Sequence, residues 1–253
     1  MILNSFDLQG KIAIVTGCDT GLGQGMALGL AQAGCDIAGI NITEPTDTIA
    51  QVEALGRRFL SIKADVSKTD ALAGLVDQVV SHYGRVDILV NNAGIIRRED
   101  AINFSEKDWD DVMNINIKSV FFMSQAVARQ FMAQESAGKI INIASMLSYQ
   151  GGIRVPSYTA SKSGVMGITR LMANEWASKG INVNAIAPGY MATNNTAALR
   201  ADEDRNAAIL ERIPASRWGE PKDMMGPVVF LASSASDYIN GYTIAVDGGW
   251  LAR

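Results

Sequence analysis

Three features of the chain predict an α/β protein: a single domain, residues 1–253, on one Rossmann-like doubly wound parallel sheet of seven strands with helices on both faces. Short, nearly continuous apolar runs alternate with longer amphipathic ones from end to end, as expected of parallel strands buried on both sides. A glycine-rich turn directly follows the first run. No internal repeat, low-complexity tract or Pro/Ser-rich linker interrupts the alternation, so nothing marks a second domain.

The first strand, 11–16, leads into Thr16-Gly17-Cys18-Asp19-Thr20-Gly21-Leu22-Gly23 and a helix over 23–32. Glycines there let the backbone approach a phosphate, and the helix N-terminus adds free N–H groups and partial positive charge, which predicts a dinucleotide site. The second strand, 36–42, carries Asn41 about 20 residues past the loop, where dinucleotide folds contact the adenosine ribose. An acid there would reject a 2′-phosphate and an arginine would attract one; Asn41 does neither strongly, and no cation lies in 18–20. NAD is therefore expected over NADP. A helix over 46–57, a strand at 59–64, a helix over 70–83 and a strand at 87–91 follow, the last ending in the turn Asn91-Asn92-Ala93-Gly94.

A single long helix is expected over 108–133, then a strand at 139–144 with Ser145 at its C-terminal end. The helix over 158–179 places Tyr158 and Lys162 four residues apart on one face. Ser145, the 91–94 turn and the glycine loop thus open onto one sheet edge. After the strand at 182–187 the chain turns polar and charged over 189–213. This excursion reads as a substrate lid or as a solvated surface helix. A helix over 221–232 has Pro221 at its first position, where no N–H is needed, and a strand at 242–246 completes the sheet.

Composition removes several function classes. A net charge of −4 without any block of like charge argues against nucleic acid and anionic membrane as partners. No apolar run is long enough for a membrane span. The first ten residues lack a basic n-region and include Asp7, so a cytoplasmic protein is expected. Cys18 and Cys35 cannot form a disulfide framework or a four-ligand zinc site and read as small, partly buried side chains in a reducing compartment. His82 is the only histidine, which excludes multi-histidine metal sites, and no metal is expected.

The combination of 16–23, 91–94, Asn116, Ser145, Tyr158-Thr159-Ala160-Ser161-Lys162 and Pro188-Gly189, in order across essentially the whole chain, resembles the short-chain dehydrogenase/reductase family. The resemblance implies a sheet ordered 3-2-1-4-5-6-7 and an NAD cofactor. It implies Tyr158 as general acid/base, with Lys162 assisting its ionisation and bonding the nicotinamide ribose. Ser145 would bond the reacting oxygen, and Asn116 would hold a water relaying protons from Lys162. It further implies cofactor contacts from Gly17, Asp19, Gly21, Leu22, Gly23, Asn41, Asp65, Val66, Asn92, Ala93, Gly94, Pro188, Gly189, Met191 and Thr193. NAD-preferring members usually carry Asp where this chain has Asn41. Association into a homotetramer is implied; Val165, Ile168 and Leu171 would serve it, or would be ordinary core.

Segments 97–101, 142–148, 151–157, 187–196 and 247–250 are similar to family members that interconvert keto and hydroxy sugar acids with NAD(H) in uronate catabolism from pectin. A sugar acid is anionic, which gives an arginine a task as a carboxylate fork. Arg97, Arg98 and Arg154 each stand near the mouth of the site, unless they are ordinary surface charges; Arg154 and Arg97 are the candidates, with Gln150, Tyr190 and Ser145 as further substrate contacts. The alternatives are another short-chain reductase, such as a 3-oxoacyl carrier-protein reductase, or a non-catalytic NAD(H)-binding protein. The first would need an apolar acyl channel and a basic docking patch that the sequence does not display.

Overall fold

The computed structural model describes all 253 residues. Seven parallel strands form one sheet in the order β3-β2-β1-β4-β5-β6-β7. They are β1 (Ile12–Thr16), β2 (Asp36–Asn41), β3 (Phe59–Lys63), β4 (Ile88–Asn91), β5 (Gly138–Ile143), β6 (Ile181–Pro188) and β7 (Thr243–Val246). The central strands β1, β4 and β5 are buried at every position, which is why they read as apolar runs and not as alternation.

The helices are α1 (Gly21–Gln32), α2 (Thr46–Ala54), α3 (Leu72–Tyr83), α4 (Glu106–Met113), α5 (Ser119–Ala133), α6 (Pro156–Trp176), α7 (Ala197–Ala201), α8 (Glu203–Arg212) and α9 (Met225–Ala232). One core cluster joins Val76, Val79, Phe131, Met172 and Trp176 of α3, α5 and α6 to Ile14, Leu89 and Ile140 on one sheet face. The other joins Met26, Leu30, Val52, Val228 and Leu231 of α1, α2 and α9 to Val15, Ile37 and Val90. The two faces are thus covered by three helices each.

Two elements differ from expectation. The helix expected over 108–133 is three pieces: α4, a π turn at Asn114–Lys118, and α5. α4 also starts early, because Ser105 caps it by accepting the Asp108 N–H at 3.1 Å. The 189–213 excursion holds α7 and α8, with Asp202 capping α8 through the Arg205 N–H. It is not a free solvated arm: Ile209 and Ile213 pack against Met146 and Trp250. Cys18 and Cys35 are wholly buried, not partly so. Burial pushes the Cys18 thiol up to about 12 and the Cys35 thiol up as well, so both are inert. No helix is long and apolar enough to cross a membrane.

A dry chain of amides runs beneath the C-terminal edge of the sheet. Asn91 Nδ2 donates to Ser124 Oγ and to Asn142 Oδ1, both at 2.9 Å. Asn142 Nδ2 donates to Thr169 Oγ1 at 2.9 Å, and that hydroxyl donates to the Val165 carbonyl at 2.7 Å. β4, β5, α5 and α6 are joined by groups whose loss would leave buried polar atoms unpaired. Asn142→Ala is expected to lower the unfolding free energy by about 2–3 kcal/mol, read by urea denaturation; an unchanged midpoint would contradict a structural role for the chain.

Candidate active site

The glycine turn between β1 and α1 is braced from β4. Thr16 Oγ1 accepts the N–H groups of Asn92 and Ala93 at 3.0 Å, and Asn92 Nδ2 donates to the carbonyls of Thr16 and Gly17 at 3.0 and 2.7 Å. Gly17 and Gly21 have φ of +65° and +59°, a region that favours glycine. A Cβ on Gly23 would collide with the Gly17 carbonyl and the Asn92 amide. Thr20, at the N-cap of α1, makes no side-chain cap bond, so the first-turn N–H groups have no side-chain partner there and face the cradle. A Cβ on Gly21 would lie 3.5 Å from Thr193 Cγ2, so the cradle is roofed by the segment that leaves β6 after Pro188 and carries Gly189, the buried Met191 and Thr193. An uncapped helix N-terminus in a glycine cradle is the construction a pyrophosphate requires.

At the adenosine end one expectation changes. Asn41 was expected to face the ribose, but its side chain is 4% exposed and turned into the loop. Its Oδ1 accepts the Cys18 N–H at 2.7 Å, while Thr48 Oγ1 donates to the Cys18 carbonyl at 2.7 Å. Asn41 holds the shape of the glycine turn. Asp19 in that turn accepts a hydrogen bond from Thr43 Oγ1 at 2.9 Å. Asp65, past β3, accepts the Ser67 N–H at 2.9 Å, with Val66 buried beside it.

The expected proton-transfer groups converge at the ends of β5 and α6. Lys162, 4% exposed, donates from Nζ to the Ile143 carbonyl at 2.6 Å and lies 5.7 Å from the Tyr158 ring centroid. Desolvation brings its ammonium down to about 8. Ser145 caps the 3-10 turn Met146–Ser148 by accepting the Leu147 N–H at 3.1 Å, and Ser148 Oγ ties that turn to the Lys162 carbonyl at 2.6 Å. Burial pushes the Tyr158 phenol above its ordinary range; a hydrogen bond with Ser145 and the charge of Arg98 pull it back.

Asn116 sits in the π turn, fully buried. Its carboxamide grips the Ile95 backbone on both sides, accepting the N–H and donating to the carbonyl, each at 2.9 Å. Nδ2 also reaches Ser161 Oγ at 3.4 Å, and Ser161 donates to the Tyr158 carbonyl at 2.9 Å. The side chain therefore clamps the loop after β4 to α6, and no side-chain donor or acceptor of Asn116 is left over for Lys162 in this arrangement.

The two arginines expected to hold a carboxylate are already paired with protein acids. Arg97 turns toward α4 and meets Asp108 at 3.3 Å and Asp111 at 3.9 Å. Arg154, at φ +63°, meets Asp100 at 3.1 Å and Glu99 at 3.7 Å. Arg98, one residue past Arg97, is the guanidinium whose field reaches Tyr158, and its Nη2 donates to the Asn195 carbonyl of the excursion at 3.3 Å. Sequence alone does not separate the two neighbours, although Asp108 and Asp111, three apart on a helix, signal a partner for one of them. Gln150 Oε1 accepts from Arg212 at 3.2 Å, and Tyr190 meets Trp218 and Trp250 edge-on at 5.4 and 4.8 Å.

Residues 17–251 match a family model described as enoyl-(acyl carrier protein) reductase. The chain is 78% identical over 253 residues to the 2-dehydro-3-deoxy-D-gluconate 5-dehydrogenase of Escherichia coli (strain K12), covering 100% of both chains. A crystal structure from Agrobacterium tumefaciens, provisionally named a 2-deoxy-D-gluconate 3-dehydrogenase and holding NADP, superposes with a TM-score of 0.93 at 55% identity, over 99% of this chain and 100% of that one. The gluconate 5-dehydrogenase of Burkholderia cenocepacia J2315, in complex with NADP and tartrate, gives a TM-score of 0.95 at 37% identity over 100% of both chains. With the strand order, the glycine cradle and the Tyr158–Lys162 pair already in place, these likenesses assign the chain to the short-chain dehydrogenase/reductase family.

Proposed function

We propose that the protein interconverts 2-dehydro-3-deoxy-D-gluconate and 3-deoxy-D-glycero-2,5-hexodiulosonate with NAD(H), in uronate catabolism from pectin. The carrying observation is the meeting of Ser145, Tyr158 and Lys162 at one sheet edge, with the charge of Arg98 near enough to favour the ionised phenol. The full-length likeness to the Escherichia coli enzyme supports the choice of sugar acid.

In this reading Gly17, Gly21, Leu22 and Gly23 hold the pyrophosphate, Asp65, Val66, Asn92, Ala93 and Gly94 line the adenosine side, and Pro188, Gly189, Met191 and Thr193 orient the nicotinamide end. The bound dinucleotide supplies hydride chemistry at the nicotinamide. Ser145 orients the reacting oxygen and Tyr158 exchanges its proton. Lys162, held against the Ile143 carbonyl, places a cation near the phenol below about pH 8, where its own ammonium titrates, and while charged it favours the ionised phenol. Arg98 adds a second cation and, with Asn195 beside it, is the group best disposed to meet the substrate carboxylate. Gln150 and Tyr190 face substrate hydroxyls, and 189–213 acts as the lid. Arg154 has a different part: it tethers the 97–100 segment to the loop before α6.

Two further features belong to this proposal. Val165 is buried in the core, Ile168 packs against the cluster shared by α3, α5 and α6, and Leu171 points outward at 46% exposure, with Phe122 also exposed; this apolar face on α5 and α6, with Tyr242 before β7, supports a homotetramer. The free, buried thiols suit a reducing, cytoplasmic setting.

The purified protein is expected to oxidise 2-dehydro-3-deoxy-D-gluconate with NAD in a spectrophotometric assay, and activity confined to acetoacetyl thioesters with NADPH would overturn the proposal. In that assay Tyr158→Phe is expected to bind NADH normally and lose turnover by about a thousandfold; retained turnover would remove Tyr158 from proton transfer.

Arg98→Met is expected to raise KM for the sugar acid at least tenfold. Arg98 lowers the Tyr158 pKa, so its loss should also move the alkaline rise of the oxidation rate to higher pH. A change in Tm without either effect would mean a structural role only.

Lys162 sheds its proton near 8 in the folded protein, whereas an unfolded lysine keeps it to about 10.4. Between those values the unfolded chain holds the additional proton, so stability rises with pH there, and the charged lysine destabilises the fold at neutral pH. Lys162→Met is expected to abolish turnover yet increase the unfolding free energy at pH 7 by about 1–2 kcal/mol. A destabilised variant would contradict this.

A further inference from the structure

A dinucleotide fold discriminates its cofactors in the crevice between the glycine turn and the end of β2, where the adenosine 2′ group lies. Four side chains border that crevice here: Asp19, Asn41, Ile42 and Thr43. Asn41 is withdrawn from it, because its carbonyl oxygen is spent on the Cys18 N–H. Ile42 is 65% exposed and offers neither a donor to a phosphate nor a charge. Thr43, from the β2 side, donates its hydroxyl to Asp19 Oδ2 at 2.9 Å, so the Asp19 carboxylate is tethered across the mouth of the crevice. That tether leaves Oδ1 as an acceptor for a ribose hydroxyl.

The other acids at this edge are engaged elsewhere, Asp65 by the Ser67 N–H at 2.9 Å. Glu44 accepts from Ser61 Oγ at 2.9 Å, and Asp47 from Gln24 and Gln51 at 2.7 and 2.8 Å. The arginines flanking β3 lie at its opposite end, where Arg58 pairs with Asp36 and Arg57 bonds Gln9 and the Gly34 carbonyl. Lys63, exposed at the C-terminal end of β3 and in register with Asn41, is the competing cation. The Agrobacterium relative of the same fold holds NADP, so the backbone accommodates a 2′-phosphate and the choice must be made by side chains.

We propose that Asp19, held by Thr43, is the residue that selects a 2′-hydroxyl over a 2′-phosphate, rejecting the phosphate by charge, and that Asn41 serves only to shape the turn. The assignment rests on the dinucleotide reading above. It deepens that reading by transferring the selection from the end of β2 to the glycine turn.

The test is direct titration of protein fluorescence with NADH and with NADPH, at low and high ionic strength, on the native protein, Asp19→Asn and Lys63→Ala. Asparagine keeps the size of the side chain and a hydrogen-bond acceptor for Thr43 while removing the charge. The native protein is expected to bind NADH more tightly. Asp19→Asn is expected to strengthen NADPH binding about tenfold, with NADH affinity changed less than about threefold, and the gain should shrink as salt screens the repulsion. Lys63→Ala should leave the preference for NADH in place.

Equal native affinities for the two cofactors would overturn the assignment, as would an Asp19→Asn protein with the native ratio. A native protein that prefers NADPH and loses that preference in Lys63→Ala would place the selection on Lys63 instead. Failure of both cofactors to bind would overturn the proposed function together with this inference, whereas NADH binding with an unmoved ratio overturns this inference alone.

Discussion

The arrangement of the site depends on the buried amide chain from Ser124 through Asn91 and Asn142 to Thr169. Apolar packing alone covers the sheet, but it is non-directional and would tolerate a helix sliding along its strands. Hydrogen bonds in a dry interior have one good geometry and a large penalty for missing it. They fix the height of α6 on β5, and therefore which residues of α6 reach the strand's C-terminal end. Lys162 meets Ile143, the last residue of β5, and Ser145 follows two residues later. The three candidate proton-transfer groups share a site because the amides below it permit one alignment.

A second constraint runs through electrostatics. The site holds an ammonium with almost no solvent around it, and its only hydrogen bond in the structure is to a backbone carbonyl. A paired carboxylate would make Lys162 comfortable and would also neutralise the field that Tyr158 needs. The acids of the neighbourhood are deployed differently, with Asp108 and Asp111 on Arg97, and Glu99 and Asp100 on Arg154. Arg98 is left to add its charge to the phenol. For a protein with a net charge of −4, the two cations without a carboxylate partner, Lys162 and Arg98, are what an anionic sugar acid would find on entering.

Much of the fold was legible because its signals are local. Both-face burial writes β1 and β4 as apolar runs, the glycine turn stands beside its strand and helix, and the Tyr158–Lys162 spacing is one helical turn. What was not legible depends on tertiary contact. The π turn at Asn114–Lys118 has no periodicity of its own; it coincides with the Asn116 clamp on Ile95. Asn41 stands at the expected position, yet its direction is decided by the Cys18 N–H. Arg97 and Arg98 are chemically identical in sequence, and only the approach of α4 separates them.

The central claim is that a shielded phenol at Tyr158 is brought toward ionisation by cations set around it. The most direct test is a tyrosine ring-carbon NMR titration of the protein, with and without NAD, using Tyr158→Phe to identify the resonance among the six tyrosines. The account predicts a Tyr158 resonance that titrates above the ordinary phenol range in the free protein and shifts downward when NAD binds and brings its positively charged nicotinamide ring to the site. A Tyr158 that titrates as an exposed phenol, or one that NAD leaves unmoved, would contradict it.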